Sequence, residues 1–365
     1  MGYQVVTESA FRPRGRYPAE AVSRLDRTSE RVTRDRTRAG RMSAAMVFHV
    51  LGLSGKLQGT RGRYAAGLGL ALTVLASCRS ARSPEIDIDS DGGVPTIFSP
   101  SARKPGEALR FSVAAMQSPR DTYAAYSRLF AHLSPILGAD IEIVQRRTYR
   151  EVNDLLIAGK VDVAFVCTGG YFDLLRRAPG VVEIIAVPVM GGTTTYQALI
   201  IVPATSPAAR MEDLAGKRFA FADELSFTGH AYPTYLVRAA GLNPPRFFSA
   251  AFFTHSHDRS ILAVASGVVD GAAVDSHILD GMVAHEPGLA RQVRVLRRSP
   301  PFGIPPVVAR TSLPDATRAR IREALLGLDS EPEGLSQLRE LHIERFSVPA
   351  LDLYDAAAVV VEGGE

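Results

Sequence analysis

The reading of this chain turns on one stretch, Asp223-Glu-Leu-Ser-Phe-Thr-Gly-His-Ala-Tyr-Pro233. An apolar run with strand character, Arg218-Phe-Ala-Phe-Ala222, leads into it, and a helical pattern from Ala231 to Ala240 leads out. Ser226, Thr228 and Gly229 sit between the two. They supply two hydroxyls and a residue that permits close backbone approach. A strand, a hydroxyl-rich turn and a helix start together form an anion cradle, because free N–H groups and the positive end of the helix dipole point the same way. The plainer reading is a helix cap, since Ser and Thr start helices routinely. The surrounding chain decides between the two.

Downstream, the strand pattern Phe247–Phe253 is followed by the turn Thr254-His-Ser-His-Asp258, a helix from Arg259 to Ser266 and a strand, Val269–Val274. Upstream lies a similar run. Strands are expected at Arg110–Met116, Ile141–Val144, Val161–Val166 and Glu183–Val189, with helices from Tyr123, over Tyr149–Ala158 and over Phe172–Arg177. Tyr196–Val202 is a further strand, and helices are expected near 314–327, 332–341 and 350–361. Strands alternating with helices predict an α/β fold with largely parallel sheets, which bind ligands at the carboxyl ends of their strands. The turns at 117–123 and 167–171 lie at those ends. The two halves share a rough strand–helix order, but no repeat of fixed period is visible. The expected layout is two lobes facing a cleft: 108–200 with 303–360, and 201–302.

The chain has 365 residues and a net charge of +4. Residues 1–63 carry a net +8, so the remainder is at −4. The globular part is therefore mildly acidic, which argues against a nucleic-acid surface. Residues 1–63 read as a disordered basic extension, and the Arg-rich residues 12–41 within it lack apolar periodicity. Translation from Met42 or Met46 would leave out most of it. Tyr64–Ser77 is an uncharged apolar run of 14 residues behind Lys56, Arg61 and Arg63. That order is the order of an export signal, and the run is short for a membrane span. It ends Leu75-Ala-Ser-Cys78, which resembles a bacterial lipobox and implies cleavage before Cys78 and lipidation of its thiol. The signal segment is thus 64–78, and 79–107, rich in Ser, Pro, Asp and Gly, reads as a tether. Asp87, Asp89 and Asp91 have calcium-loop spacing but no closing Glu, and read as solvated linker. Cys167, without a partner, reads as a small core hydrophobe.

From about 108 to 360 the chain resembles the phosphonate/phosphite/phosphate solute-binding proteins of bacterial ABC transporters, the PhnD-like family. The segments that carry the resemblance are Met116–Tyr126, Gly159–Val166 with Gly170-Tyr171, Ser226-Phe-Thr-Gly229 with Pro233, His257-Asp258 with Gly267–Val274, and Ser299–Arg310. It implies a type II periplasmic-binding-protein fold. It places Tyr123 and Tyr171 on the first lobe's side of the cleft, and Ser226, Thr228, Gly229 and His257 on the second's. Such donors suit a phosphorus oxyanion without a fixed cation. The implied partners are a small oxyanion and an inner-membrane permease, for a monomer held in the cell envelope. There are departures. Phe227 replaces a family hydroxyl, His277 stands where aminoalkylphosphonate binders carry an acid, and the Ser299–Pro306 turn lacks their second acid. Phe227, Tyr232 and Phe302 are candidates for an apolar wall.

Other classes find less support. His255 and His257 lack a clear third metal ligand, so no metal and no cofactor is expected. His230 and His277 read as surface or cleft-edge residues. Tyr126 reads as a core aromatic. No nucleophile elbow, P-loop or dinucleotide motif occurs, so the chain reads as a binding protein rather than an enzyme. Pyrimidine-synthesising proteins share the implied fold but carry a cysteine-rich motif, and this chain has only Cys78 and Cys167. The alternative function is a lipoprotein of this fold that presents its ligand to a sensor kinase.

Overall fold

In the computed structural model, the structure describes residues 108–350 and 352–363. The expected basic extension, signal segment, lipidation site at Cys78 and tether lie outside these residues. In chain order the elements begin β1 (Leu109–Val113), α1 (Pro119–Leu137), β2 (Ile141–Ile143), α2 (Tyr149–Ile157), β3 (Val163–Phe165), α3 (Thr168–Arg177) and β4 (Val182–Val189). Then come β5 (Thr195–Tyr196), β6 (Ala198–Pro203), β7 (Arg218–Phe221), α4 (Tyr232–Ala239), α5 (Pro244–Phe247), β8 (Ala250–Phe253), α6 (His257–Ala265), β9 (Gly271–Asp275) and α7 (Ser276–His285). The last are β10 (Val293–Arg298), β11 (Phe302–Gly303), β12 (Val307–Arg310), α8 (Asp315–Gly327), α9 (Pro332–Glu340), β13 (Arg345–Ser347) and α10 (Asp355–Glu362).

Two main sheets result, one per lobe. The first runs β13-β4-β12-β3-β1-β2 and the second β10-β6-β9-β7-β8. β1, β2 and β3 pair in parallel, as do β7, β8 and β9. Central β3 and β9 are buried along their whole length, as parallel strands covered on both faces must be. The first core centres on Phe111, Phe130 and Phe165, with Tyr126 and Phe346 packed edgewise against Phe165. Tyr126 is thus a core aromatic. The short ribbon β5–β11 links the regions where the chain crosses between lobes. The expected lobe boundary at 200/201 falls inside β6, which lies wholly in the second sheet.

The rough strand–helix likeness of the two halves is, in the structure, a repeat at an offset of 108 residues. β1 pairs with β2 and β3 in the registers Arg110↔Glu142 and Phe111↔Val163, and β7 pairs with β8 and β9 in the registers Arg218↔Ala250 and Phe219↔Gly271. Helix α2 begins at Tyr149 and its counterpart α6 at His257, each nine residues long. Helix α3 begins at Thr168 and α7 at Ser276, each ten residues long. Arg110 binds Asp162 and the Gly159 carbonyl, and Arg218 binds Asp270 and the Gly267 carbonyl in the same pattern. Gly159 and Gly267 adopt matching φ values of +70° and +73°, a conformation that glycine enters without steric cost.

Local differences from the sequence reading have local causes. Helix α3 starts at Thr168 rather than Phe172, because Gly169 and Gly170 join the helix instead of forming a loose turn. The expected strand from Phe247 begins only at Ala250. Pro244 and Pro245 start a short helix first, as proline favours the first helical positions. Helix α7, absent from the sequence reading, is capped by Asp275.

Candidate functional site

The stretch 223–233 forms a π-type turn, Phe227–Ala231, feeding α4. Ser226 caps it: its Oγ accepts from Gly229 N–H at 3.0 Å. The cap reading is therefore right, but Ser226 does more. His257 Nε2 lies 3.3 Å from the same Oγ, and Asp275 N–H donates to His257 Nδ1 at 3.2 Å. Because Nδ1 accepts, the ring is neutral with its proton on Nε2. Burial pushes the His257 pKa down to about 3. Both ring nitrogens are committed, which leaves none for a metal. Among the described residues no three His, Cys, Asp or Glu side chains converge on one point.

Gly229 is needed by this packing. A Cβ there would lie 2.5 Å from Ala222 Cβ, 2.8 Å from Ser226 Oγ and 3.0 Å from His257 Cε1. Thr228 is buried, and its Oγ1 has no hydrogen-bond partner. Phe227 is fully buried, its ring 4.8 Å from Phe302, which in turn packs 5.7 Å from Tyr232. The three rings considered for an apolar wall do come together.

The same cluster holds side chains whose part was not foreseen. Tyr149, Cys167 and Tyr196 are buried with Phe227, Tyr232 and Phe302. The Tyr149 hydroxyl has no partner. The Tyr196 hydroxyl faces that of Thr168, which donates to the Gly303 carbonyl. Burial pushes both phenols well above the ordinary tyrosine range, and neighbouring Cys167 and Asp275 add to the shift. Buried hydroxyls are normally satisfied, so the unpartnered hydroxyls of Tyr149 and Thr228 stand out among the described residues. Tyr171 packs at the edge of the cluster, against Tyr354 and Phe172. Tyr123 is half-buried on α1 and is not among the side chains packed there.

The lobes touch directly around this cluster. Tyr149 N–H donates to Asp223 Oδ2 at 3.2 Å, His257 N–H to the Met116 carbonyl at 2.9 Å, and Ser118 N–H to Asp258 Oδ2 at 3.0 Å. A Cβ on Gly169 of α3 would lie 2.2 Å from the Leu225 carbonyl oxygen. Each lobe contributes helix N-termini to the contact, and these carry partial positive charge. His230 lies at the edge, its Nδ1 2.8 Å from the Glu224 carbonyl, and His277 is half-buried with its N–H on Asp275 Oδ1.

A family model described as ABC transporter, phosphonate, periplasmic substrate-binding protein matches residues 111–354. The chain belongs to that family. The phosphonates-binding periplasmic protein of Escherichia coli K12 is 26% identical over 256 residues, which is 67% of this chain and 74% of that protein. The phosphate-import protein PhnD of Mycolicibacterium smegmatis is 30% identical over 186 residues, 48% of this chain and 58% of its own length. Among solved structures, a binding-protein component of a phosphonate ABC transporter from Pseudomonas aeruginosa superposes with TM-score 0.63 at 23% identity, covering 67% of this chain and 82% of that one. PhnD1 from Prochlorococcus marinus, in complex with methylphosphonate, superposes with TM-score 0.63 at 17% identity, covering 70% and 97%. These likenesses establish the two-lobed type II fold. Membership in the phosphonate-transporter family makes the chain an extracytoplasmic substrate-binding component of an ABC transporter. Its homologues are transport proteins rather than enzymes. No helix among the described residues is long and apolar enough to cross a membrane.

Proposed function

We propose that this protein captures a small phosphorus oxyanion, a phosphonate, phosphite or phosphate, between its lobes. It then hands the ligand to a permease, as a monomer tethered through lipidated Cys78. One observation carries the ligand class. Buried hydroxyls on Tyr149, from the first lobe, and on Thr228, from the second, lack partners, and Ser226 Oγ accepts from Gly229 and His257, which leaves its own proton to donate. A tetrahedral oxyanion accepts from several convergent donors at once, and hydrogen bonds to a charged acceptor are about twice as strong as neutral ones. The donors come from both lobes, so bound anion favours the state in which the lobes meet. Thr228 and Ser226 donate from the second lobe, His257 holds the Ser226 oxygen so that the hydroxyl proton turns to the ligand, and Gly229 lets Ser226 and His257 come together. Tyr149, with Tyr171 at the margin and Tyr123 on α1, represents the first.

Calorimetric titration of the purified protein with phosphate, phosphite and methylphosphonate tests the reading. Micromolar or tighter binding of at least one is expected. The ligand class falls if none gives heat or a thermal shift. It falls equally if Thr228→Ala and His257→Ala leave the binding of the ligand that does respond unchanged.

A further inference from the structure

Two carboxylates of the second lobe divide their oxygens in the same way. Asp223 Oδ1 accepts from Leu225 N–H at 2.9 Å within its own turn, while Oδ2 accepts from Tyr149 N–H of the first lobe at 3.2 Å. Asp258 Oδ1 accepts from Arg259 N–H at 2.9 Å, while Oδ2 accepts from Ser118 N–H of the first lobe at 3.0 Å. Each side chain thus keeps one oxygen on its own lobe and extends the other across the contact. The donors they reach stand at helix starts: Tyr149 opens α2, and Ser118 directly precedes α1. The partial positive charge there strengthens a bond to a carboxylate.

The duplication shows that this arrangement runs in one direction. At the offset of 108 residues, Asp223 corresponds to Ala115 and Asp258 to Arg150. Ala115 has no side-chain acceptor to offer in return, and Arg150 pairs with Asp173 of its own lobe at 3.5 Å. The reciprocal crossing, from His257 N–H to the Met116 carbonyl, uses backbone alone. In these crossing bonds, therefore, the second lobe supplies the charged groups and the first lobe supplies their donors. Parting the lobes leaves each carboxylate fixed on its own turn through Oδ1 and strips Oδ2 of its donor.

We propose that Asp223 and Asp258 form a clasp that sets how readily the lobes close, and through closure the affinity for every ligand. They are positioning residues, because what they hold is the backbone of the first lobe. The effect on affinity rests on the oxyanion reading, whereas the clasp itself joins protein to protein. The bond through Oδ1 orients each carboxylate before the lobes meet, so little freedom is lost when Oδ2 finds its second donor. The free energy of closure enters the binding of each ligand alike. The clasp therefore raises affinity without changing the preference among anions.

The test uses Asp223→Asn and Asp258→Asn. An amide has nearly the shape of a carboxylate but a single acceptor oxygen, with an NH2 group in place of the other. It can keep the bond within its turn or the bond across, and not both. Each variant is measured by solution scattering without ligand and by calorimetric titration with phosphate, phosphite and methylphosphonate. The radius of gyration of the ligand-free protein is expected to rise in both variants. Every anion that the wild-type protein binds is expected to weaken by about tenfold, with the ratios among anions unchanged. Should Asp223→Asn fail to fold, Asp258→Asn, at a half-buried position, carries the test alone. Unchanged dimensions in the folded variants would overturn the proposal, because a purely local role lowers the melting temperature without moving the lobes. Weakening that differs among the anions would overturn it too, by placing the carboxylates on the ligand. If the wild-type protein binds none of the three anions, the oxyanion reading fails, and the scattering comparison still decides the clasp.

Discussion

Tyr149 and His257 hold the same position in the two halves of the molecule, 108 residues apart, each the first residue of its helix. Each donates its backbone N–H across to the opposite lobe, Tyr149 to Asp223 and His257 to Met116. Each also carries a buried side chain into the contact between lobes. The duplicated fold has thus placed two chemically different side chains at equivalent points on either side of the contact between lobes.

The two side chains make separable predictions. The Tyr149 hydroxyl has no partner, so Tyr149→Phe keeps the packing and removes a buried, unsatisfied group. Stability is expected to hold, or to rise by about 1 kcal/mol. Oxyanion affinity is expected to fall by about tenfold or more, since a hydrogen bond to a charged acceptor contributes about 1.5–3 kcal/mol. Thermal melts and titration of the one variant read both quantities. A drop in stability with unchanged affinity would mean that the hydroxyl serves the fold rather than a ligand.

His257 predicts a pH dependence with a defined sign. Burial lowers its pKa from 6.5 to about 3, so between those values the unfolded chain binds a proton that the folded protein refuses. The stability that neutral His257 contributes is present above 6.5 and is lost as pH falls toward 3. The slope is about 1.4 kcal/mol per pH unit at its steepest. Buried Asp223 and Asp275 act oppositely. Desolvation raises both, so their contribution falls as pH rises above the ordinary carboxylate range. His257→Gln is expected to remove the rising component and leave the falling one. Melting temperature measured from pH 4 to 7 checks this, and an unchanged profile would contradict it.

The duplicated Arg–Asp clamps differ in burial, and so in what they contribute. The Asp162 side chain is 8% exposed and also faces Arg310, whereas Asp270 is 37% exposed. Asp162→Ala leaves two guanidinium groups and a strand N–H without their acceptor, and is expected to cost about 2–4 kcal/mol. Asp270→Ala breaks the same bonds near solvent, where an ion pair contributes about 1 kcal/mol or less. Urea unfolding of the two variants measures the difference. Equal losses would show that burial does not govern these clamps.

Much of this organisation was legible in the residues, and the remainder was hidden for identifiable reasons. Alternating strand and helix patterns carried the α/β fold, because parallel strands and their flanking helices keep distinct apolar periods. The turn holding Ser226 and Gly229 was legible because a hydroxyl-rich turn before a helix is chemically distinctive, and His257 was singled out only through the family resemblance. Tyr149 was not, because an aromatic at the start of an amphipathic helix has the pattern of a core residue. Thr148 and Glu151, which form a capping box, do place Tyr149 at the first helical position. The duplication was hidden because packing constrains register and glycine conformation more tightly than residue identity. Arg110, Gly159 and Asp162 match Arg218, Gly267 and Asp270, while Tyr149 corresponds in position to His257 and Cys167 to Asp275.

Gly169 offers the sharpest test that this meeting of lobes serves binding. Alanine is the better helix former by about 1 kcal/mol, so Gly169→Ala does not weaken α3 itself. Its Cβ would stand 2.2 Å from the Leu225 carbonyl oxygen and 3.0 Å from Phe227 N. Both neighbours are backbone of the opposite lobe, so the clash is relieved only by moving the lobes apart. Oxyanion affinity is expected to drop about 100-fold and the radius of gyration in solution scattering to increase, with the melting temperature of the ligand-free protein nearly unchanged. The counterpart position, His277, already accommodates a full side chain, and His277→Ala serves as the control with little effect on either quantity. Gly169→Ala binding at wild-type affinity with wild-type dimensions would show that the ligand does not require this contact.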